Sequence, residues 1–360
     1  MKIYKAAIIG LGSSGLAVNK LIYDNNKDNV IAFENSNIDK RNNYFGFWLT
    51  DWMKPFENLV EKKWNNWEIC DNDTNIIHND SEHPYCVISF KKWKNFCLDN
   101  KNKLDLINKR VINYYKTEGI YKITTEDNKE YFAKKIYDSR STKEKKNELI
   151  QHFFGINIIT KNNTFNDKKL TLMHFTKIED FLHFIYVLPF SHNTALVEST
   201  VFSKKTLNEN WYRAQIDKFL EGKSIDILKE NSFEYGIIPM FFNEEKKPSD
   251  PNIYNIGIRG GACKASTGYA FSFLIKQIQL IKKTNKNKIH IHKFIERTMD
   301  QIFLNYLKNN NEIGESFITI AKNLNGNEFQ TFMMGQSTLK TKLKIIKSMP
   351  KLPFIKSLFG

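Results

Sequence analysis

The residues of this 360-residue chain that could do chemistry fall at a few positions. Ala195-Leu196-Val197-Glu198-Ser199-Thr200 reads as a strand, and Leu196, Thr200 and Phe202 share the face of Glu198. A carboxyl on so apolar a face loses solvation, which favours its protonated form and suits it to donate or accept a proton. The same pattern also fits a surface glutamate at a sheet edge. His174 is expected on a strand face with Leu170 and Leu172, either as a neutral hydrogen-bonding group or as a satisfied core histidine. Asp138 and Arg140 close another strand and suit either a mutual ion pair or a place beside a bound ligand. His290 and His292 alternate with Ile289 and Ile291, and no Cys/His cluster has zinc spacing, so no metal site is expected. Neither a nucleophile elbow nor a Ser/His/Asp ordering is present.

Two glycine clusters point to a nucleotide. Gly10-Leu11-Gly12-Ser13-Ser14-Gly15 follows the apolar run Ala6–Ile9 and opens a segment with helical spacing. In that context Gly10 permits the tight turn, Gly12 lets the backbone approach a pyrophosphate, and Gly15 lets helix and strand pack. Ser13 and the helix N-terminus offer free N–H groups to the phosphates. Glu34 ends the next apolar run, Val30–Phe33, where a carboxylate accepts hydrogen bonds from ribose hydroxyls and repels a 2′-phosphate. The motif alone does not separate FAD from NAD. The second cluster, Ile256-Gly257-Ile258-Arg259-Gly260-Gly261, follows a strand, and Ala265-Ser266-Thr267-Gly268-Tyr269 opens a long apolar helix. A late strand–glycine–helix element of this kind meets the flavin end of an extended FAD, with Gly257, Gly260, Gly261, Thr267 and Gly268 as candidate contacts. The helix N-terminus would favour the negative charge of a reduced flavin.

These residues need a scaffold. The opening β-α-β unit predicts a Rossmann-like sheet. Strands are expected at Val111–Tyr115, Tyr121–Thr125 and Glu130–Ala133. From 153 to 202 the chain alternates as short strands (153–159, 170–175, 184–189 and 195–202), which predicts an antiparallel sheet. A helix follows, burying Tyr212, Ile216, Phe219 and Leu220 and ending at Gly222. Residues 36–95, rich in Trp and Asn, read as irregular. A helix over about 270–282 precedes a helical C-terminal part with Ile295, Met299, Ile302, Phe303 and Tyr306 on one stripe. The expected fold class is α/β: a Rossmann-like FAD-binding domain (1–60, 95–150 and 235–285), an inserted antiparallel-sheet substrate domain (61–94 and 151–234), and a helical C-terminal region (286–360).

Composition narrows the function. Net charge is +15, yet the lysines are spread throughout and no nucleic-acid module is present, so no nucleic acid is expected as partner. Cys70, Cys86, Cys97 and Cys263 form no CxxC pair and read as free thiols in a reducing compartment. With no signal peptide and no apolar run near the roughly 20 residues of a membrane span, a cytoplasmic protein is expected.

The glycine turn, Phe47-Trp48, Tyr137-Asp138-Ser139-Arg140, Gln151-His152-Phe153-Phe154-Gly155 and Leu172-Met173-His174-Phe175 make the chain resemble the bacterial branch of the lycopene β-cyclase family. So do Tyr186-Val187-Leu188-Pro189-Phe190-Ser191 with Ala195–Thr200 behind it, Glu234-Tyr235-Gly236-Ile237-Ile238-Pro239-Met240, Lys264-Ala265-Ser266-Thr267-Gly268-Tyr269, and Ser348-Met349-Pro350-Lys351-Leu352-Pro353-Phe354. The resemblance implies that the FAD-binding domain is of the flavoprotein-monooxygenase type, and that the reaction is redox-neutral closure of lycopene ψ-ends into β-rings, giving γ-carotene or β-carotene. It also implies reduced FAD as cofactor, NAD(P)H as its reductant, lycopene or a related acyclic carotenoid as substrate, and a protein peripheral on the membrane. It places an essential acid at Glu198. Many relatives carry a second acid where this chain has Ser199, and often Asp where it has His174. Glu234 is implied near flavin or substrate, as are Asp138 and Arg140.

Leu339 to Gly360 holds Lys340, Lys342, Lys344, Lys347, Lys351 and Lys356 and no acid, with Leu339, Leu343 and Ile346 on one helical face before Pro350 and Pro353. That segment suits either anionic lipid or plain solvation. A rival reading is a redox flavoenzyme, a hydroxylase or reductase, on an apolar isoprenoid; another is a non-catalytic carotenoid- or flavin-binding protein.

Overall fold

Ala6–Ile9 has no polar position because both faces of its strand are covered. In the computed structural model, which describes residues 1–25, 27–99, 103–141, 147–178, 180–242, 248–309 and 313–349, the chain opens with β1 (Ile3–Tyr4), β2 (Ala6–Ile9), α1 (Ser13–Tyr23) and β3 (Asn29–Phe33). Next come β4 (Tyr44–Trp48), β5 (Lys62–Trp64), β6 (Asn66–Cys70), β7 (Asn75–Asn79), β8 (Tyr85–Ser89) and α2 (Phe90–Leu98). Then follow β9 (Lys103–Ile107), β10 (Val111–Thr117), β11 (Ile120–Thr125), β12 (Glu130–Ala133) and β13 (Ile136–Asp138). The middle holds β14 (Ile150–Thr160), β15 (Lys169–Thr176), β16 (Leu182–Pro189), β17 (Thr194–Ser203), α3 (Glu209–Gly222), β18 (Ile227–Pro239) and β19 (Ile253–Asn255). Five helices end the described chain: α4 (Phe271–Thr284), α5 (Phe294–Asn309), α6 (Ile313–Asn323), α7 (Gly326–Met333) and α8 (Leu339–Ser348).

A parallel sheet in the order β19-β13-β2-β3-β9 forms the base. Ala6 and Ile8 pack with Leu16 and Ala17 of α1 and Ile275 and Ile278 of α4 on one side. Ala7 and Ile9 pack on the other against Tyr121, Ile123 and Ala133 of a second sheet, β1-β12-β11-β10. The parallel order delivers the C-terminal ends of β2, β3, β13 and β19 to one edge, where ligands of open α/β sheets bind.

The largest sheet runs β18-β14-β17-β16-β15-β6-β7. All its pairs are antiparallel except β15 with β6. One face packs under α3 through Ile156, Ile158, Val187, Val197 and Val201 against Tyr212, Ile216 and Leu220. The other carries Leu172, Phe184, Leu188, Leu196 and Phe202 toward the base and the C-terminal helices.

Residues 36–95 are not irregular. They form β4 to β8 and open α2, with β4-β8-β5 as a small sheet and β6 and β7 extending the large one. Their strands run only three to five residues; β5 and β6 bury Trp64 and Trp67 beside polar positions, and β8 buries Tyr85, Cys86, Val87 and Ile88 in one short run, too short to show a period against the surrounding Asn and Lys. The α5 stripe is also displaced. Ile295 is exposed, whereas Glu296, Asp300, Phe303, Leu304 and Leu307 are buried, because both acids are paired to Lys342 and Lys264. Among the described residues no helix is long and apolar enough to cross a membrane.

Candidate functional site

One cavity of about 1730 Å³ joins the edge of the parallel sheet to the inner face of the large sheet. Pockets for one drug-sized ligand run about 300–1,000 Å³, so this one is large enough for an extended cofactor plus a second molecule.

At its first end stands the glycine turn. Gly10 has φ +88°, a conformation only glycine adopts freely. Gly12 N-caps α1 without a side chain, and Gly10, Gly12, Ser13 and Ser14 line the cavity. Gly15 does not line it; an added Cβ would collide with the Gly10 carbonyl and approach Ile8 Cγ2 to 3.0 Å, which is the helix–strand packing expected of it. Glu34 is buried at the end of β3, where one oxygen accepts the Leu11 N–H (2.9 Å) and the other the Ser36 N–H and hydroxyl. Arg41 lies 3.3 Å from the same carboxylate and lines the cavity beside Gly12. The arginine was not visible as a site residue, because nothing in its Lys-Arg-Asn-Asn neighbourhood marks it as facing a cleft.

Asp138 is fully buried and Arg140 lines the cavity. They bond each other through Arg140 Nε (3.0 Å) and Nη2 (2.6 Å), and Arg259 reaches the same carboxylate at 3.5 Å. Asp138 therefore anchors the two arginines, and of Asp138 and Arg140 only Arg140 lines the cavity.

The late glycine element divides. Gly257 (φ +62°) and Gly268 (φ +74°) line the cavity. A Cβ on Gly257 would come within 2.7 Å of Ser14 Oγ, and one on Gly268 would collide with Gln151 Oε1. Gly260 and Gly261 do not reach the cavity. They turn the chain back from β19, Gly260 N–H bonding the Gly257 carbonyl at 3.0 Å, and border a separate cavity of about 80 Å³. The helix begins at Phe271, after a turn over 264–269 closed by Lys264 N–H to the Tyr269 carbonyl and Gly268 N–H to the Lys264 carbonyl, both 2.9 Å. Thr267 Oγ1 and Gln151 Oε1 are buried on this wall without a protein partner. Orphaned polar atoms beside two glycines that leave no room for a Cβ fit a polar, planar group laid against the backbone. The residues present thus fit an FAD: phosphates at Gly12 and the α1 N-terminus, ribose at Glu34 and Arg41, and the flavin end at Gly257, Thr267, Gly268 and the α4 N-terminus.

At the far end four strands line up one row. Tyr186 of β16 is in register with Glu198 of β17, Glu198 with Gly155 of β14, and Gly155 with Glu234 of β18. The row points into the cavity, with Leu172, Phe184, Leu188, Leu196 and Phe202 around it. Gly155 leaves the space between the carboxylates open; a Cβ there would lie 2.6 Å from Glu198 Cγ. Glu198 is 8% exposed and Glu234 5%. Burial pushes the Glu198 carboxyl well above its ordinary range, reinforced by the charge of Glu234, and burial pushes Glu234 up to about 7. The Glu234 carboxylate accepts the Tyr44 N–H at 2.8 Å. A tyrosine cluster borders the pair, with Tyr186 hydroxyl donating to Tyr85 (3.0 Å) and Tyr269 to Tyr85 (3.4 Å).

Ser199 faces the opposite side and meets His183 Nε2 at 2.9 Å under α3. His174 does not share the face of Leu170 and Leu172. A bulge in β15 between Thr171 and His174 puts Leu172 and Met173 both inward and turns His174 out. It lies against Cys70 Sγ (3.1 Å) and Phe219 of α3, outside the cavity. Among the described residues no cluster of three or more His, Cys, Asp or Glu could hold a metal.

α8 presents Leu339, Leu343 and Ile346 to the exterior with Lys340 and Lys347. Lys342 does not belong to that basic face; it is buried on Glu296, and Lys344 pairs with Glu328. Pro350, Lys351, Leu352, Pro353, Phe354 and Lys356 lie outside the described residues.

Solved structures share this architecture. A geranylgeranyl bacteriochlorophyll reductase-like protein of Thermoplasma acidophilum superposes with TM-score 0.64 at 12% identity, over 100% of this chain and 99% of its own. Klebsiella pneumoniae HpxO complexed with FAD and uric acid gives TM-score 0.62 at 10% identity, over 92% and 96%. The halogenase PltM with phloroglucinol and FAD gives 0.54 at 11%, over 92% and 82%. The α/β fold expected from the sequence, of the flavoprotein-monooxygenase type with a helical C-terminus, is the fold observed. No curated protein sequence matches the chain. Residues 6–359 match the family described as lycopene cyclase protein, and the chain belongs to that family of enzymes.

Proposed function

We propose that the protein closes the ψ-ends of lycopene, or of a related acyclic carotenoid, into β-rings without net redox change. The observation that carries this reading is a buried carboxyl, Glu198, raised toward its neutral form and facing an apolar cavity that continues into a nucleotide-type cleft. Protonating an isolated alkene needs a neutral acid held against it in a dry site. Leu172, Phe184, Leu188, Leu196 and Phe202 exclude water, and the rings and hydroxyl dipoles of Tyr85, Tyr186 and Tyr269 offer π faces to a cation. Bound FAD, kept reduced by NAD(P)H, would supply negative charge beside that cation.

The test is expression in lycopene-accumulating bacteria. Ring-bearing carotenoid should replace lycopene, and Glu198→Gln should leave lycopene untouched while retaining flavin. Folded, flavin-loaded wild-type protein that leaves lycopene unchanged sinks the proposal. Consumption of NAD(P)H in proportion to product would favour a hydroxylase or reductase on an apolar isoprenoid instead.

A water-insoluble substrate requires a route from lipid. The exposed row Leu339, Leu343 and Ile346 flanked by Lys340 and Lys347 supports peripheral contact of α8 with anionic membrane. Leu343→Asp should then reduce sedimentation with anionic vesicles; unchanged sedimentation removes α8 from that role.

A further inference from the structure

We propose that Glu234 is the base partner of Glu198: the two carboxyls share one proton across Gly155, Glu198 holding it and Glu234 taking the proton that the ring must lose. This rests on the cyclase reading and adds the second half of its proton economy.

Two geometric facts and one electrostatic one support it. The two side chains flank the same glycine from neighbouring strands and line the same cavity. Each carboxyl shifts the other through side-chain hydrogen bonding, Glu198 upward and Glu234 downward, an interaction two carboxyls make only when one of them carries a proton. The backbone then decides which. Glu234 accepts the Tyr44 N–H at 2.8 Å, a donor that favours its ionised form. The charge and hydrogen bond of Glu234 raise the Glu198 carboxyl while the same bond holds Glu234 down, so Glu198 carries the proton and its O–H donates to Glu234. Two like groups in unequal surroundings are thereby set apart into acid and base.

The steps balance. The Glu198 O–H breaks as a C–H forms on the terminal double bond, leaving a tertiary cation. The π electrons of the second double bond form the ring C–C bond, and the cation moves to the ring carbon bearing a methyl. Glu234 removes the proton from the adjacent ring carbon, whose C–H electrons become the ring C=C. The proton returns from Glu234 to Glu198 through their shared hydrogen bond. No electron leaves the substrate, and the pair is ready for a second end.

The position of proton loss is the readout that a merely structural role would not move. In lycopene-accumulating bacteria, Glu234→Gln should retain flavin and drop β-ring formation at least about 100-fold, as loss of a general base does, with residual product spread to isomeric rings that lose a proton from the ring methylene or the methyl. Glu234→Asp should restore part of the rate with β-rings dominant. Glu234→Gln that forms β-rings at the wild-type rate overturns the proposal. Infrared spectroscopy of the purified holoenzyme at about pH 8.5, above the value of about 7 to which burial raises Glu234, separates this from failure of the cyclase reading, because it needs no substrate. One protonated buried carboxyl should be seen, and Glu198→Gln should remove it. If the wild type does not cyclise lycopene, that single band still supports the shared proton. Its absence, or its persistence in Glu198→Gln, overturns the pair whatever the substrate.

Discussion

Glu198 and Glu234 stand in register with the same residue, Gly155, from the two strands that flank it. The glycine is therefore a spacer. Gly155→Ala would set a methyl 2.6 Å from Glu198 Cγ and 3.1 Å from Leu196 Cδ1. Overpacking of this kind costs about 1–3 kcal/mol, which a protein of this size tolerates. The carboxyl, being the movable part, gives way. Gly155→Ala should fold and keep its flavin while ring formation falls at least about tenfold, since a displacement of 1 Å at a reacting group costs up to about 10²-fold. Carotenoid analysis beside flavin absorbance checks this; unchanged cyclisation would show that the gap is not needed.

The same pair makes stability depend on pH. Both carboxyls are raised by burial, Glu234 from its ordinary 4.5 to about 7. The folded chain then binds more protons than the unfolded one between those values, so this contribution is fully present below about 4.5 and is lost as pH rises through 7. Buried His152 and His183 and half-buried His292 act in reverse: desolvation holds them down, to about 4, 3 and 4, and their contribution is lost as pH falls. The difference between wild type and Glu234→Gln cancels the histidines. The groups facing Glu234 are Glu198, Tyr44 and Tyr186, with Tyr85 beside Glu198 and Tyr186, Tyr269 beside Tyr85, and Glu61 near Tyr44. The variant should gain on wild type as pH rises from about 5 to about 8, by on the order of 3 kcal/mol. Denaturation midpoints at each pH measure it; a gap that does not change with pH removes Glu234 as a raised carboxyl.

His174→Gln should leave cyclisation within about threefold of wild type, because it takes no group from the cavity and so removes no transition-state contact. Its ring lies against Cys70 and Phe219 instead. A loss comparable with that of Glu198→Gln would show that His174 acts on the substrate.

That residue also shows where sequence reading stops. Alternation located β14 to β17 within three residues at each end and put Glu198 on the face of Leu196 and Phe202, because a strand covered on both sides repeats strictly every second residue. One inserted residue in β15 breaks that count, and no composition marks it. The glycine turn and Glu34 were legible since their roles are local. Gly260 and Gly261 carried the same local signal but turn the backbone away from the cavity. Glu234 was legible only as a neighbour of the site. Its pairing with Glu198 depends on β14 lying between β17 and β18, a contact across long sequence separation. Arg41 and the Tyr44 N–H escaped for the same reason, both lying in a stretch whose strands are too short to show a period.

At the flavin end, Gly268→Ala should lower flavin retention. Its φ of +74° disfavours any side chain, and the added Cβ would collide with Gln151 Oε1, one of the two orphaned atoms on that wall. A loss of 1.4 kcal/mol in binding is tenfold, and a strained left-handed residue costs about 1–3 kcal/mol. Flavin per protein after purification should therefore fall about tenfold or more. Gly261→Ala, at φ +74° but with no atom within 4 Å and outside the cavity, should cost stability and spare flavin affinity.

Lys264 and Asp300 link the C-terminal helices to that wall. Both are buried, and Asp300 Oδ1 accepts from Lys264 Nζ and, at 2.7 Å, from Ser266 Oγ. The turn they pin is the one whose Thr267, Gly268 and Tyr269 line the cavity. Removing one member of a buried ion pair leaves an uncompensated charge and costs about 3–5 kcal/mol, whereas replacing both with apolar groups is often neutral. Asp300→Asn should lower the denaturation midpoint and, because the turn loses its anchor, flavin content as well. Lys264→Met with Asp300→Leu should recover most of the midpoint while flavin content stays low, since the packing is restored but the Ser266 hydroxyl has lost its acceptor. If the double variant regains full flavin content, α5 supports the turn by bulk alone and the ion pair has no part in shaping the cofactor wall.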